Sequence, residues 1–254
     1  MKPPTIAAIV VTRDRPQLLR DALASIAAQR LSPLEVRIAD DGDVPAFETA
    51  EGAGLLEVTL LPSQMGQAGA ARNLAAQGAR SDVLAFLDDD DRWLPDHLAG
   101  LGPAFAEPEV ELAFRDVAVI RERLGDGGER IELERRVIAR DWDPCLMRRD
   151  DYIPPSAWGV RRALFERLGG FDPAFRFSED WDFLLRAGAV TAPRRVPGTT
   201  VEVRLRDIGN SSTEHGPERR ACLDELARRH AFAPPEIKTF WEVAREVGRG
   251  PAGG

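Results

Sequence analysis

Tyrosine occurs once in these 254 residues and histidine three times, while lysine is confined to Lys2 and Lys238 and cysteine to Cys145 and Cys222. Two cysteines far apart, without the spacing of a metal site, exclude a disulfide framework and fit a reducing compartment. His97, His215 and His230 form no ligand set, and His97 is expected to face solvent on a helix. No run approaches the roughly 18 apolar residues that cross a bilayer. The opening "MKPPTIAAIVVTRDRP" is too short and meets charge too early for a secretory leader, so a cytoplasmic location is expected. An excess of positive charge is also missing. At a net charge of -8 and a pI near 5.1, a broad basic surface for nucleic acid is excluded.

What is present is enough apolar material, 43%, for one large domain or one domain with an appendage. The first half alternates strand-like and helix-like segments, as a mostly parallel α/β sheet with helices on both faces requires. "TIAAIVV" (5–11), "LEVRIADDGD" (34–43), "LLEVTLLP" (55–62) and "VLAFL" (83–87) read as strands. Leu19, Ala22, Leu23, Ile26 and Ala27 follow helical spacing, with Asp14 as the expected N-cap and Pro16 near the helix start. "AGAARNLAAQGA" (68–79) is a second helix.

Beyond residue 110 the pattern changes. "ELAFRDVAVIRERLGDGGERIELERRV" (111–137) reads as two antiparallel strands about the turn "GDGG". Residues 139–159 look irregular and are expected to form a mobile loop over a site. "RRALFERLGG" and "SEDWDFLLRAGA" (178–189, with Ser178 as N-cap) are helical, and "TTVEVRLRD" (199–207) is a late strand. Two amphipathic helices, about 216–230 and 234–247, precede a "GRGPAGG" tail expected to be disordered. The expected division is a first subregion over 1–110, a second over 111–210 in the same domain, and a helical extension over 211–254.

The pattern that most asks for an explanation is "VLAFLDDDDRWLPDHL" (83–98). Four consecutive carboxylates, Asp88 to Asp91, repel one another unless a cation neutralises them. The apolar run before them resembles a strand buried on both faces, and "WLPDHLAGL" a helix with Pro95 in its first turn. The carboxylates therefore fall at the carboxyl end of a strand in an open parallel sheet, where ligands bind. A solvated acidic turn is the other reading of the same residues.

Four segments in order, "IVVTRDRPQLLRDALASIAAQ", "EVRIADDGD", "GQAGAARNLAAQGARSDVLAFLDDDDRWLPDHL" and "LFERLGGFDPAFRFSEDWDFLLRAG", resemble the inverting glycosyltransferases of family 2. The resemblance implies the GT-A fold, a nucleotide-sugar donor (a UDP-sugar before a GDP- or dTDP-sugar), Mn²⁺ or Mg²⁺, and a hydroxyl acceptor on a glycan, a lipid-linked glycan or a small molecule. A membrane acceptor would call for peripheral association through the C-terminal helices. In the D-x-D pattern Asp88 and Asp90 correspond to the metal-binding pair, with Asp89 near the donor and Asp89 or Asp91 supporting from behind. "SED" resembles the family's E-D motif, which makes Asp180 the general base and Glu179 its understudy; both would also suit a helix N-terminus. The donor side would comprise Thr12 and Arg13 in the first loop, Asp40 and Asp41 in "ADDGD", Gly66 in "GQAG", and Arg72 in "GAARN". Asp43 stands where the family has serine. Arg13 replaces a common aromatic, and a guanidinium can also stack. The family's late histidine is missing from "RLRDIGNSST", where Arg206 or Asp207 would substitute. Trp142, Tyr152, Trp158 and Trp181 are either sugar-stacking faces or core.

Three other readings stand beside this one. A nucleotidyltransferase should carry a glycine-rich phosphate loop after the first strand, and "VTRDRP" has no glycine. A non-catalytic sugar-nucleotide binding protein would be marked by loss of Asp90 or Asp180, and both are present. "ADDG" hints at a phosphotransfer receiver, a domain about half this length with a late lysine that this chain does not match.

Overall fold

The computed structural model describes residues 3–43, 46, 57–125, 130–206 and 216–248. Asp207, His215, residues 55–56 of the expected third strand, 126–128 of the "GDGG" turn and 249–254 of the tail lie outside them. In chain order the first half comprises β1 (Ile6–Thr12), α1 (Pro16–Ala27), β2 (Glu35–Asp40), β3 (Val58–Pro62), α2 (Ala68–Ala76) and β4 (Val83–Asp88). β5 (Arg92–Trp93) and the short α3 (His97–Leu101) follow, then β6 (Leu112–Leu124), β7 (Arg130–Ile138), α4 (Pro144–Met147), β8 (Trp158–Arg161), α5 (Arg162–Arg167), α6 (Glu179–Gly188), β9 (Arg194–Leu205), α7 (Pro217–His230) and α8 (Phe240–Val247).

One nine-stranded sheet runs β3-β2-β1-β4-β8-β6-β9-β5, with β7 also paired to β6. Its first four strands are parallel. The central pair β1 and β4 is buried along nearly its whole length, which is why both read as unbroken apolar runs instead of alternating ones. β8 enters antiparallel between β4 and β6, the β6–β7 pair is antiparallel as the sequence indicates, and β9 runs parallel to β6.

α1 opens on Pro16, whose missing N–H costs nothing in a first turn, and buries Leu19, Ala22, Leu23 and Ile26. Ala27 is exposed and Ser25 is buried instead, its hydroxyl donating to Ala22 O and accepting from Trp93 N. The expected cap differs too. Arg15 occupies the N-cap position, while Asp14, at φ 53°, accepts from Asp43 N across the loop. Pro95 precedes α3 and is not in its first turn.

Residues 139–159, expected as a loop over a site, are largely irregular but anchored in the core. Met147, Tyr152, Ile153, Ala157 and Trp158 are buried, and Trp158 stacks on Phe183 at 5.3 Å within a cluster that includes Phe86, Phe165 and Phe171. Too few alternating positions precede β8 for a periodicity argument to find it. His97 is likewise fully buried, stacked on Trp93 with Nδ1 3.1 Å from Thr200 Oγ1. Burial and the neighbouring Arg115 push its pKa down to about 3, so it stays neutral. Among the described residues no helix is long and apolar enough to cross a membrane.

Candidate active site

Parallel pairing puts the carboxyl ends of β1, β2 and β4 side by side, with Val11 opposite Asp88 and Thr12 opposite Asp40. A cavity of about 460 Å³ opens there, at the edge where open α/β sheets bind ligands. Its lining includes Thr12, Arg13, Asp41, Gly66, Arg72, all four aspartates 88–91, Glu179 and Asp180. Of the residues expected on the donor, metal and base positions, Asp40 is outside that lining, as is Arg206, expected in place of the family's late histidine. The Asp40 carboxylate is turned into its own loop, accepting from Gly42 N at 3.2 Å and Ala46 N at 2.8 Å. Asp41 faces the cavity and holds the loop after β3 through Ser63 Oγ and Met65 N.

The four aspartates are not equivalent. Asp88 takes a 2.6 Å bond from Arg72 Nη2. Asp89 accepts from Thr12 Oγ1 at 2.8 Å and from Arg15 at 3.3 Å. Asp90 meets Arg15 and Arg206 at 3.3 and 3.0 Å. Asp91 is buried against Ser156 Oγ at 2.6 Å and Arg204 N at 3.3 Å, a structural role that braces the turn to β9. Burial raises the pKa of Asp89 to about 7, with Asp90's charge adding to it. Asp90 and Asp91 are raised by burial and by the charges of their neighbours. The run is electrostatically strained toward neutralisation, and guanidinium groups supply part of it.

Among the described residues no group of three or more His, Cys, Asp or Glu side chains is arranged to hold a metal ion. The chemistry of the donor set nonetheless suits Mg²⁺ or Mn²⁺. Asp88 and Asp90 are hard oxygen donors on the cavity wall, and such ions take one or two carboxylates together with waters and phosphate oxygens.

On the opposite wall α6 begins with Glu179 and Asp180. Ser178 does precede the helix, but at φ 63° and without a capping hydrogen bond. Arg72, fully buried, joins the two walls by donating Nη1 to Glu179 at 2.6 Å and Nη2 to Asp88 at 2.6 Å. Burial works to lower its pKa, and the two carboxylates more than reverse that. The neighbouring Asn73 exchanges two bonds with the backbone of Phe171, so one short helix clamps the segment leading into α6. Gly69 is what lets α2 approach. A Cβ there would stand 2.8 Å from Glu179 Cγ. Burial first and the charge of Asp180 second push Glu179 up to about 7, against the pull of Arg72. Asp180 is half-buried, accepts from Trp181 N at 2.9 Å and is also raised, by burial above all.

The aromatics divide. Tyr152 and Trp158 belong to the core; Trp142 lies against Gly188. Trp181 alone of the four lines the cavity, with Nε1 donating to Met147 O at 2.6 Å. Sequence reasoning missed Arg15, Ser156 and Asp151, all within reach of the site only through folding. It also missed that α7 and α8 contribute Arg219, Leu223, Phe240 and Val243 to the cavity wall.

Similar chains are found among known proteins. An uncharacterised glycosyltransferase of Bacillus subtilis, YwdF, is 29% identical over 95% of this chain and 90% of its own. The succinoglycan biosynthesis protein ExoW of Rhizobium meliloti is 42% identical over a shorter stretch, 34% of this chain and 29% of its own. Among solved structures, S. aureus TarS 1–349 in complex with UDP-GlcNAc superposes with a TM-score of 0.70 at 17% identity, over 89% of this chain and 65% of that one. The fold is thus that of the GT-A glycosyltransferases. The model of glycosyl transferase family 2 matches residues 7–169, and with the aspartate run, Arg72 and the start of α6 gathered on one cavity, the chain belongs to that family.

Proposed function

We propose that this protein moves a sugar from a UDP-sugar to an acceptor hydroxyl with inversion at the anomeric carbon, and that Asp180 is the general base. The observation that carries the reading is the shared cavity. It has a metal-competent carboxylate pair on one wall and a separate, half-buried carboxylate on the other, which is what direct displacement needs. A UDP-type donor is favoured because the TarS structure of the same fold holds UDP-GlcNAc.

In this reading Thr12, Arg13 and Asp41 meet the nucleoside, and Gly66, with its positive φ of 64°, keeps the approach to the phosphates open. Asp90, with Asp88, holds Mn²⁺ or Mg²⁺. The ion, when bound, neutralises charge on the departing diphosphate as a Lewis acid. Arg15 and Arg206, already on Asp90, are placed to turn to phosphate oxygens. Asp180 accepts the acceptor's proton as the new C–O bond forms, while the bond to the diphosphate breaks with its electron pair. One base suffices, since the diphosphate leaves without a proton. A glycosidase would need a second carboxyl acting as acid. Arg72 keeps Glu179 and Asp88 in place, so Glu179 is a positioning residue for its neighbour.

Calorimetric titration of UDP, GDP and dTDP, with and without Mn²⁺, tests the donor side. Binding of UDP that requires Mn²⁺ is expected. Absence of binding by every nucleotide in both conditions would overturn the reading and return Asp88 to Asp91 to a solvated turn.

A further inference from the structure

Beside Asp180 the cavity wall has a chemistry that the transfer step does not use. Trp181 donates Nε1 to Met147 O at 2.6 Å, which ties the start of α6 to the end of α4. Three residues on, Asp150 accepts from Lys238 Nζ at 2.8 Å, and Arg219 of α7 donates to Lys238 O at 2.7 Å. A capping box of Thr239 and Glu242 then starts α8 on Phe240. These bonds gather the segment after α4, the first turn of α6, α7 and the start of α8 on one stretch of wall.

Three kinds of group line it. Phe177 and Phe240 are half-buried rings, together with the buried Trp181, Leu223 and Val243. The one donor of Trp181 is spent on Met147 O, so only its ring is on offer. Asp151 lines the cavity as well, and its Oδ1 is buried without a hydrogen-bond partner among the described residues. A buried acceptor oxygen left unmatched keeps its full desolvation cost, so it suits a donor that arrives with a ligand. The cations are already engaged. Arg149 and Lys238 meet Asp150 at 2.7 and 2.8 Å, and Arg176 meets Glu218 at 3.6 Å.

Those pairings decide among acceptors. An anionic group would have to break them, and would enter a cavity that already has Asp151, Glu179 and Asp180 on its lining. An acyl chain would cover the rings and leave Oδ1 unmatched. A sugar ring answers to both, with an apolar face of C–H groups and an edge of hydroxyl donors. We propose that this stretch is the acceptor subsite and that it takes a neutral sugar ring: its C–H face lies on Phe177 and Phe240, and a hydroxyl other than the reacting one donates to Asp151 Oδ1. The inference rests on Asp180 being the base, since the base fixes where the reacting hydroxyl must be. Asp151 and the two rings touch the acceptor without taking part in bond making or proton transfer.

Saturation-transfer NMR on the full chain with UDP and Mn²⁺ tests it. The neutral probes are the methyl glycosides of glucose, galactose and mannose; glycerol phosphate is the anionic probe and hexanol the apolar one. At least one methyl glycoside is expected to receive saturation at its ring C–H protons, and neither of the other two probes. Phe240→Ala and Asp151→Ala should each weaken that glycoside about tenfold or more. Asp151→Asn, which keeps an acceptor oxygen, should weaken it less than Asp151→Ala, and together with Phe240→Ala it carries the test if Asp151→Ala does not fold. Calorimetric affinity for UDP with Mn²⁺ should be native in all three, which also certifies their folding. Binding of glycerol phosphate or hexanol in place of every glycoside overturns the proposal, as does a glycoside affinity that neither Phe240→Ala nor Asp151→Ala changes. A loss of affinity for a UDP-sugar but not for UDP in these variants would give the same groups to the donor sugar and overturn it too. The two levels separate. If UDP does not bind with Mn²⁺ to the native protein, the function itself is wrong; if UDP binds and no methyl glycoside does, only the acceptor assignment falls.

Discussion

Arg72→Met is the perturbation with the most calculable outcome. The guanidinium is 4% exposed and makes two 2.6 Å bonds, one to Asp88 on β4 and one to Glu179 on α6. Removing it leaves Glu179 buried with the charge of Asp180 beside it. Breaking a buried pair by deleting one partner costs about 3–5 kcal/mol, and here two carboxylates lose the same cation. The sign of its pH dependence follows. Glu179 is already raised to about 7 with Arg72 in place, and without it the folded state holds that proton still more tightly than the unfolded chain does. A folded state that binds more protons loses stability as pH rises. The cost should therefore be larger at pH 8 than at pH 5.5, with a slope approaching about 1.4 kcal/mol per pH unit for each group concerned. Urea denaturation at both pH values measures it, and the double variant Arg72→Met, Glu179→Gln should recover about 1–3 kcal/mol by removing the orphaned charge. A loss under about 1 kcal/mol, or one equal at both pH values, would show that Arg72 does not balance these carboxylates.

Three further outcomes follow from the same site. Asp180→Asn should leave donor affinity nearly intact while transfer falls about 10²-fold or more; a parallel loss of binding and rate, by calorimetry and a transfer assay, would remove it as the base. Asp90→Ala should weaken Mn²⁺-dependent nucleotide binding about tenfold or more, and an unchanged affinity for both would take Asp90 out of the metal site. In the metal-free protein, Asp89 and Glu179, both raised to about 7, should make the melting temperature fall as pH rises from about 5 to 8, since the folded state binds the extra protons across that window; Mn²⁺ should lessen the fall, and a melting temperature that rises through the window would contradict the shifts.

Much of the parallel half was legible because β1 and β4 are buried on both faces and the turns after the strands carry the charged residues that line the cavity. The pattern of "VLAFL" followed by aspartates is enough by itself to place that run at a strand end. The Arg72–Glu179 pair, 107 positions apart in sequence, was visible only as two motif fragments, "ARN" and "SED". Their joint meaning, one helix clamping another to the aspartate run, exists only after packing. Residues 139–159 misled because tryptophan, tyrosine and mixed charge suggest a surface loop, whereas Tyr152 spends its hydroxyl on Asp141 O and Asp143 N and so enters the core at no polar cost. His97 misled for a related reason: a helix position beside Asp96 looks solvated, yet the helix is five residues long and packs its first residue inward on Trp93.

The choice of cation around the site is itself informative. The chain has only two lysines among 34 basic residues, and the described cations bonded to Asp88, Asp89 and Asp90 are arginines 15, 72 and 206. A guanidinium spans two acceptors with fixed geometry, while an ammonium is a point charge that loses its proton more readily when buried. Arg72 needs the first property, because it must hold Asp88 and Glu179 at once and stay charged while doing so. Arg15 bridges Asp89 and Asp90 from the loop after β1 in another way, through the single nitrogen Nη1 at 3.3 Å from each. Arg72→Lys would keep the charge and lose one of the two bonds, and Glu179, buried deeper than Asp88, would suffer more from losing it. The charge at position 72 and its fork are thus separable requirements, and it is the fork that ties the wall carrying the aspartate run to the wall that begins α6.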